Sequence, residues 1–212
     1  MKFQGFPEAA LIFYEGLEAD NSKTYWTAHK PVYDEQVRAP MQALLDDLEP
    51  EFGAAKLYRP FRDVRFSKDK TPYKTAVAAS VGQYYVQLTA EGLMVGGGIY
   101  HTAPDQVVRL RRAVDDDVQG AQLERLVADL RGRKWSVDGE RLATKPRGFR
   151  ADHPRIDLLR YKSMIAFQHW EPAVWLHTAK AGTRVRDAWR ELGDITAWLS
   201  AHVGPSSEQR RR

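Results

Sequence analysis

Close to residue 60 the hydrophobic period of this chain changes, and the change leaves few folds open. Up to Glu49, apolar residues recur at three- and four-residue spacing. Beyond it lie short runs rich in β-branched and aromatic residues, at 61–66, 76–81, 84–89 and 92–100. Gly82-Gln83 and Glu91-Gly92 supply turn chemistry between the later runs. Gaps that short close only hairpins, so these runs predict an antiparallel β-meander. Tyr84, Val86 and Leu88 alternate with Tyr85, Gln87 and Thr89, as a half-buried strand requires.

Helices flank the meander on both sides. Pro7 suits a first helical turn, and the helix it opens runs through Glu18 with Ala10, Phe13, Tyr14 and Leu17 on one stripe. Asp20, Asn21 and Ser22 break the chain and offer caps to a second helix, which bears Tyr25 and Trp26 and meets Pro31. A third, from about Asp34 to Glu49, aligns Val37, Met41, Leu44, Leu45 and Leu48, and Pro40 inside it predicts a kink or a split. After the meander, Thr102 and Asp105 have capping-box spacing at the start of a helix carrying Val107, Leu110 and Val114. Another helix spans about Gln119 to Leu130. Asp138-Gly139, between Lys134–Val137 and Arg141–Ala143, predicts a hairpin, and Lys162–Phe167 a further strand. Two helices from Pro172 to about His202 place Trp175, Trp189 and Trp198 in the core; Trp135 and Trp170 flank polar runs and are candidates to stack on a ligand. The expected architecture is one α+β domain over residues 1–203, a central antiparallel meander with N-terminal and C-terminal helices packed on it, followed by a flexible basic tail at 204–212.

Composition removes several function classes. The chain has 212 residues and no cysteine, which excludes disulfides, Cys-ligated metal centres and thiol nucleophiles. Glu8 and Glu15 interrupt any apolar leader, and no run approaches a membrane span, so the expectation is a soluble cytoplasmic protein with no membrane partner.

Charge is concentrated in one place. Between Lys56 and Thr75 stand Lys56, Arg59, Arg62, Arg65, Lys68, Lys70 and Lys74 against only Asp63 and Asp69, interleaved with Tyr58, Phe61, Phe66 and Tyr73, in a chain whose net charge is +4. Such a local cluster points to an anion site. In the strand expected at 61–66, charged residues fall on both faces, so each needs a partner or a ligand. One reading is an Arg–Asp network that only fixes the loop from Ser67 to Pro72. The other has Asp63 orienting an arginine whose free edge grips a phosphate or carboxylate.

The run from Arg62 to Thr75, Arg-Asp-Val-Arg-Phe-Ser-Lys-Asp-Lys-Thr-Pro-Tyr-Lys-Thr, resembles the central motif of a widespread bacterial and fungal family of unknown function. Asn21 to Lys30 with Trp26, Gly96-Gly97-Gly98-Ile99-Tyr100, Pro146-Arg147-Gly148-Phe149 and Asp152-His153-Pro154 fit the same pattern, which covers most of the chain. Tyr25-Trp26-Thr27 departs from it where an aromatic pair is expected. The resemblance implies an α+β fold and brings no activity, cofactor or catalytic residue with it.

The site expected from the residues is a convergence of Arg62, Arg65, Lys68, Lys70, Tyr73 and Lys74, with Asp63 as orienter. Gly97, Gly98, Tyr100, His101 and Arg109 are the candidate pocket lining. Three glycines at a strand end suit close approach of a backbone or ligand, but the P-loop ending is missing. His101, Asp152, His153, His169 and Glu171 have no metal-ligand spacing, so no metal is expected. The expected ligand is a small phosphorylated or carboxylated metabolite. The alternative partner is nucleic acid, bound through the same basic patch.

Overall fold

Helix α1 (Glu8–Ala19) buries Ala10, Leu11, Phe13, Tyr14 and Leu17, the stripe its sequence spacing predicts. The Ser22 hydroxyl accepts the Tyr25 N–H and starts α2 (Lys23–Val32). Neither Pro31 nor Pro40 breaks the chain here. A π-helical segment, Tyr33–Arg38, joins α2 directly to α3 (Ala39–Phe52), and Val37, Met41, Leu44, Leu45 and Leu48 are all fully buried. The expected split is thus replaced by wider turns. In them the Ala39 N–H reaches back to the Asp34 carbonyl just before Pro40, which has no N–H to give.

The computed structural model of the chain describes residues 2–65 and 68–207. They fall into two compact units, Met1–Val95 with His169–Ala188, and Gly96–Gln168 with Trp189–Arg212. Six strands form an antiparallel sheet in the order β1-β2-β3-β4-β6-β5. They are β1 (Ala55–Leu57), β2 (Val77–Val81), β3 (Tyr84–Thr89), β4 (Gly92–Ile99), β5 (Ser136–Asp138) and β6 (Met164–Trp170). The fold is α+β, as expected, and β2, β3 and β4 are the expected meander. Val81 pairs with Tyr84 around Gly82-Gln83, and Val86 and Leu88 are fully buried.

The strand expected at 61–66 does not form. Strand β1 takes its place beside β2, with Ala55 opposite Val81, and the motif becomes a loop. Phe61 makes one isolated bridge to Tyr73, and Arg62 to Arg65 have no strand partners. Charges on both faces are incompatible with a strand that buries one face, and the loop lets them reach partners instead. Phe66 and Ser67 lie outside the described residues.

In the second unit, α4 (Pro104–Asp115) starts with the Ala103 N–H donating to the Gln106 side chain, while the Thr102 hydroxyl donates to the Lys162 carbonyl. The capping role therefore falls to Gln106, one residue beyond the expected Asp105. Helix α5 (Asp117–Gly132) is capped by Asp116, whose carboxylate accepts from Val118 and Gln119. The expected hairpin at Asp138-Gly139 is absent: β5 pairs with β6, Val137 opposite Ala166, and Arg141 bridges Tyr161. A Cβ at Gly139 would lie 2.1 Å from the Ser163 carbonyl oxygen, so this glycine serves close backbone approach and the chain runs straight on. A short helix α6 (Ile156–Leu159), then α7 (Lys180–Glu191) and α8 (Gly193–His202) complete the chain. Trp189 and Trp198 are buried, and so is Trp135, whose indole N–H donates to Glu191 and which therefore offers no stacking face. The described part of the tail is held: Gly204 and Pro205 carbonyls accept from Gln106 and Arg109, and Ser206 and Ser207 bond Asp105. Among the described residues no helix is long and apolar enough to cross a membrane.

Gly98 shows what the glycine strand requires. Its φ is +130°, and an added Cβ would sit 2.3 Å from the Met164 carbonyl oxygen. Gly98→Ala is expected to cost about 2–4 kcal/mol, combining a strained φ with a backbone overlap. Gly132→Ala, where a Cβ meets nothing within 4 Å, serves as the control and should change stability by less than about 1 kcal/mol. Urea unfolding of both variants measures the difference.

Candidate functional site

The charged motif sorts its cations into two groups. Arg62 donates from one Nη to Asp69 at 2.5 Å and to the Thr71 hydroxyl at 2.6 Å. Arg65 grips Asp63 through two parallel bonds of 2.9 and 2.7 Å, and its side chain is 76% exposed. Lys70 donates to the Val64 carbonyl at 2.9 Å. These three hold the loop to itself. The hydrogen bonds from Arg65 hold the Asp63 carboxyl down at about 2, and those from the Thr71 N–H and hydroxyl, then Arg62, do the same for Asp69. Depressed carboxyls contribute stability above the ordinary aspartate range, and that contribution is lost as pH falls toward 2. Lys68 is exposed and makes no ion pair among the described residues.

Tyr73 is a structural anchor. It is buried, and its ring stacks on Trp26 at 4.4 Å with 9° between the planes. Asn21 clamps its backbone from both sides, accepting from the Tyr73 N–H at 3.0 Å and donating to its carbonyl at 3.1 Å. The side-chain amide thus does for Tyr73 what a neighbouring strand would do.

The second group of cations lies at the two ends of the motif. Tyr58 is pinned to β2 by its N–H on the Ala78 carbonyl and its hydroxyl on Ser80. Lys56 and Lys74 each bring an ammonium 5.6 Å from the centre of its ring. Burial, with Arg59 nearby adding to it, pushes Lys74 below the ordinary lysine range. Among the described residues, none of Lys56, Arg59 and Lys74 makes an ion pair.

Beside this cluster runs a groove of about 340 Å³, lined by Trp26, Lys30, Tyr33, Asp34, Arg38 and Gln42 from the helices and by Leu57 to Phe61. Trp26, Lys30, Asp34, Arg38 and Gln42 recur at every fourth residue. On an α-helix such a stripe drifts by roughly 40° per step, which over its length would turn Gln42 well away from Trp26. The π segment winds more slowly and takes the drift back; its hallmark is the Ala39 N–H bonded to the Asp34 carbonyl, five residues earlier. Burial raises the Tyr33 hydroxyl to about 12, against the pull of Arg38. Lys30 pairs with Asp34, whereas Arg38 is exposed and has no ion pair among the described residues. Nothing in the sequence pattern singled out Arg38; only the fourth-residue stripe from Trp26, read across two prolines, would have found it.

Gly97, Gly98, Tyr100, His101 and Arg109 belong to the other unit. There Arg109 is occupied by Asp105 and by the Val203 and Pro205 carbonyls, and Tyr100 stands exposed beside His101. The Asp152-His153-Pro154 segment lines a cleft in that unit, where His153 accepts the Arg155 N–H at Nδ1 and lies 3.2 Å from Asp115 at Nε2. Both ring nitrogens are engaged, and the histidine fastens its loop to the end of α4. Among the described residues no three acidic or histidine side chains converge as a metal site would need.

The model of a family described as conserved hypothetical protein, DUF2461, matches residues 9–198, nearly the whole chain. No curated protein and no solved structure matches it.

Asn21→Ala is expected to lower stability by about 1–3 kcal/mol, because it strands the buried Tyr73 N–H and carbonyl. Asp63→Asn should change little, since Arg65 stands in water. Thermal unfolding of the two variants tests this assignment of the structural role to Asn21.

Proposed function

The chain belongs to the DUF2461 family, and we propose that it binds a small phosphorylated or carboxylated metabolite in the groove between Trp26–Gln42 and Leu57–Phe61. One observation carries this reading. Lys56 and Lys74 gather over the Tyr58 ring with Arg59 close to Lys74, and Arg38 lines the same groove as Arg59; among the described residues none of the four makes an ion pair, and Arg59 feels Asp63 only at longer range. Holding a lysine partly buried beside another cation costs free energy, and Lys74 is depressed first by burial and then by Arg59. An anion offsets it. Within the motif the structural arginines already have their carboxylates, so the unpaired cations supply the binding charge. Arginine suits the contact because its planar fork matches phosphate and carboxylate oxygens.

Phosphate at a hundredfold excess over its Kd is expected to stabilise the protein by about 2.7 kcal/mol. Arg59→Ala and Arg38→Ala should each weaken binding by about tenfold or more, the worth of a charge-assisted hydrogen bond. Arg65→Ala should leave affinity within about twofold, since that guanidinium is held by Asp63. Lys74 is charged only below its lowered pKa, so affinity falls as pH rises, beginning below the ordinary lysine range, and Lys74→Arg removes that fall. Thermal melts and calorimetry with phosphate, sulfate and citrate provide the readout. No stabilisation by any anion, or equal damage from Arg65→Ala and Arg59→Ala, would sink the proposal.

A further inference from the structure

Resting on the anion-site reading, we propose that the ligand is a nucleoside monophosphate, its base stacked on Phe61 and its phosphate held by Arg38 and Arg59. The starting observation is the state of Phe61. Phe61 lines the groove and is 48% exposed, although it stands in the most charged stretch of the chain. It is nonetheless held firmly. Its backbone bridges Tyr73, and its ring centre lies 5.9 Å from Trp26 and 5.6 Å from Tyr73. Those two rings are themselves stacked in parallel. Phe61 is therefore the outward-facing end of a fixed aromatic cluster, and its ordering cost is met by the fold before any ligand arrives.

A held ring open to the groove is the wall a flat base needs, and every base has a π-face to offer it. Inorganic phosphate or a sugar phosphate would engage the arginines and leave this ring in water. The groove, at about 340 Å³, is also much larger than a bare anion and falls at the lower end of small-molecule pockets. Gln42 lines it as well, placing an amide where a base edge can hydrogen-bond. An aromatic wall and an amide for the base, and two guanidinium groups for the phosphate, line one cavity.

Calorimetric titration of the full chain with phosphate, ribose 5-phosphate, adenosine 5′-monophosphate, uridine 5′-monophosphate and a short single-stranded oligonucleotide tests the inference. The monophosphates are expected to bind at least about tenfold tighter than ribose 5-phosphate, in line with base–aromatic stacking. Phe61→Leu, which keeps apolar volume and removes the ring, should erase that margin and leave ribose 5-phosphate unchanged; its melting curve confirms that it folds. If ribose 5-phosphate binds through Arg59 and the monophosphates bind no better, the nucleotide assignment is wrong and the anion site stands. If the oligonucleotide binds far more tightly, with an affinity that falls steeply with salt, the ligand is a strand and the assignment is overturned. If no phosphate compound binds at all, both the anion site and this inference fall.

Discussion

The stack of Tyr73 on Trp26, with Asn21 bonded to both sides of the Tyr73 backbone, is the contact on which the motif depends. The ion pairs around it are partly or largely exposed, and exposed ion pairs stabilise little. The loop from Arg62 to Pro72 would have no fixed place without a buried anchor at its end. Tyr73 supplies it, and the bridge to Phe61 with the Arg62–Pro72 and Lys74–Pro60 backbone bonds closes the loop from the other side. Arg65 on Asp63 and Arg62 on Asp69 then shape a loop whose ends are already tied.

Trp26 connects this anchor to the helices. The same residue that stacks on Tyr73 begins the fourth-residue stripe that continues through Lys30, Asp34, Arg38 and Gln42. A regular α-helix buries a stripe of mixed three- and four-residue spacing, and α3 does so with Met41, Leu44, Leu45 and Leu48. The groove stripe has a different period, and one stretch of chain meets both demands through the π segment. Pro31 and Pro40 bracket that segment. Each lacks the N–H that a regular ladder would use, which makes the neighbouring carbonyls available to wider turns.

The α+β class, the β2–β3–β4 meander and the core stripes of α1 and α3 were legible in the sequence, because period and turn chemistry are local properties. The first strand was not. Residues 61–66 are rich enough in aromatic and β-branched residues to read as a strand, yet a strand would have placed charges on its buried face, and the short segment Ala55–Leu57 pairs with β2 instead. Asp138-Gly139 misled for a related reason: a turn glycine and a close-approach glycine share one letter, and only the Ser163 carbonyl against Gly139 tells them apart. The motif was visible as a charged cluster, but sequence cannot say which arginine faces its own aspartate. Arg38 was invisible for a third reason, since its role depends on a change of helical winding that no single residue announces.

Placement, more than number, separates the structural cations of the motif from the rest. Asp63 and Asp69 are its only acids, and each is held by an arginine within seven residues of it. Those two pairs close the middle of the loop and exhaust its negative charge. Lys56, Arg59 and Lys74, at the ends, are brought together by the β1–β2 pairing and by the loop closure that the Tyr73 anchor enforces. The fold therefore concentrates positive charge as a direct consequence of closing the loop, and leaves it beside a groove walled by aromatic rings. A protein using these residues for folding alone would gain by replacing one lysine with an acid, because the like charges at Tyr58 oppose one another. On the proposed reading, an anion in the groove is what offsets that opposition.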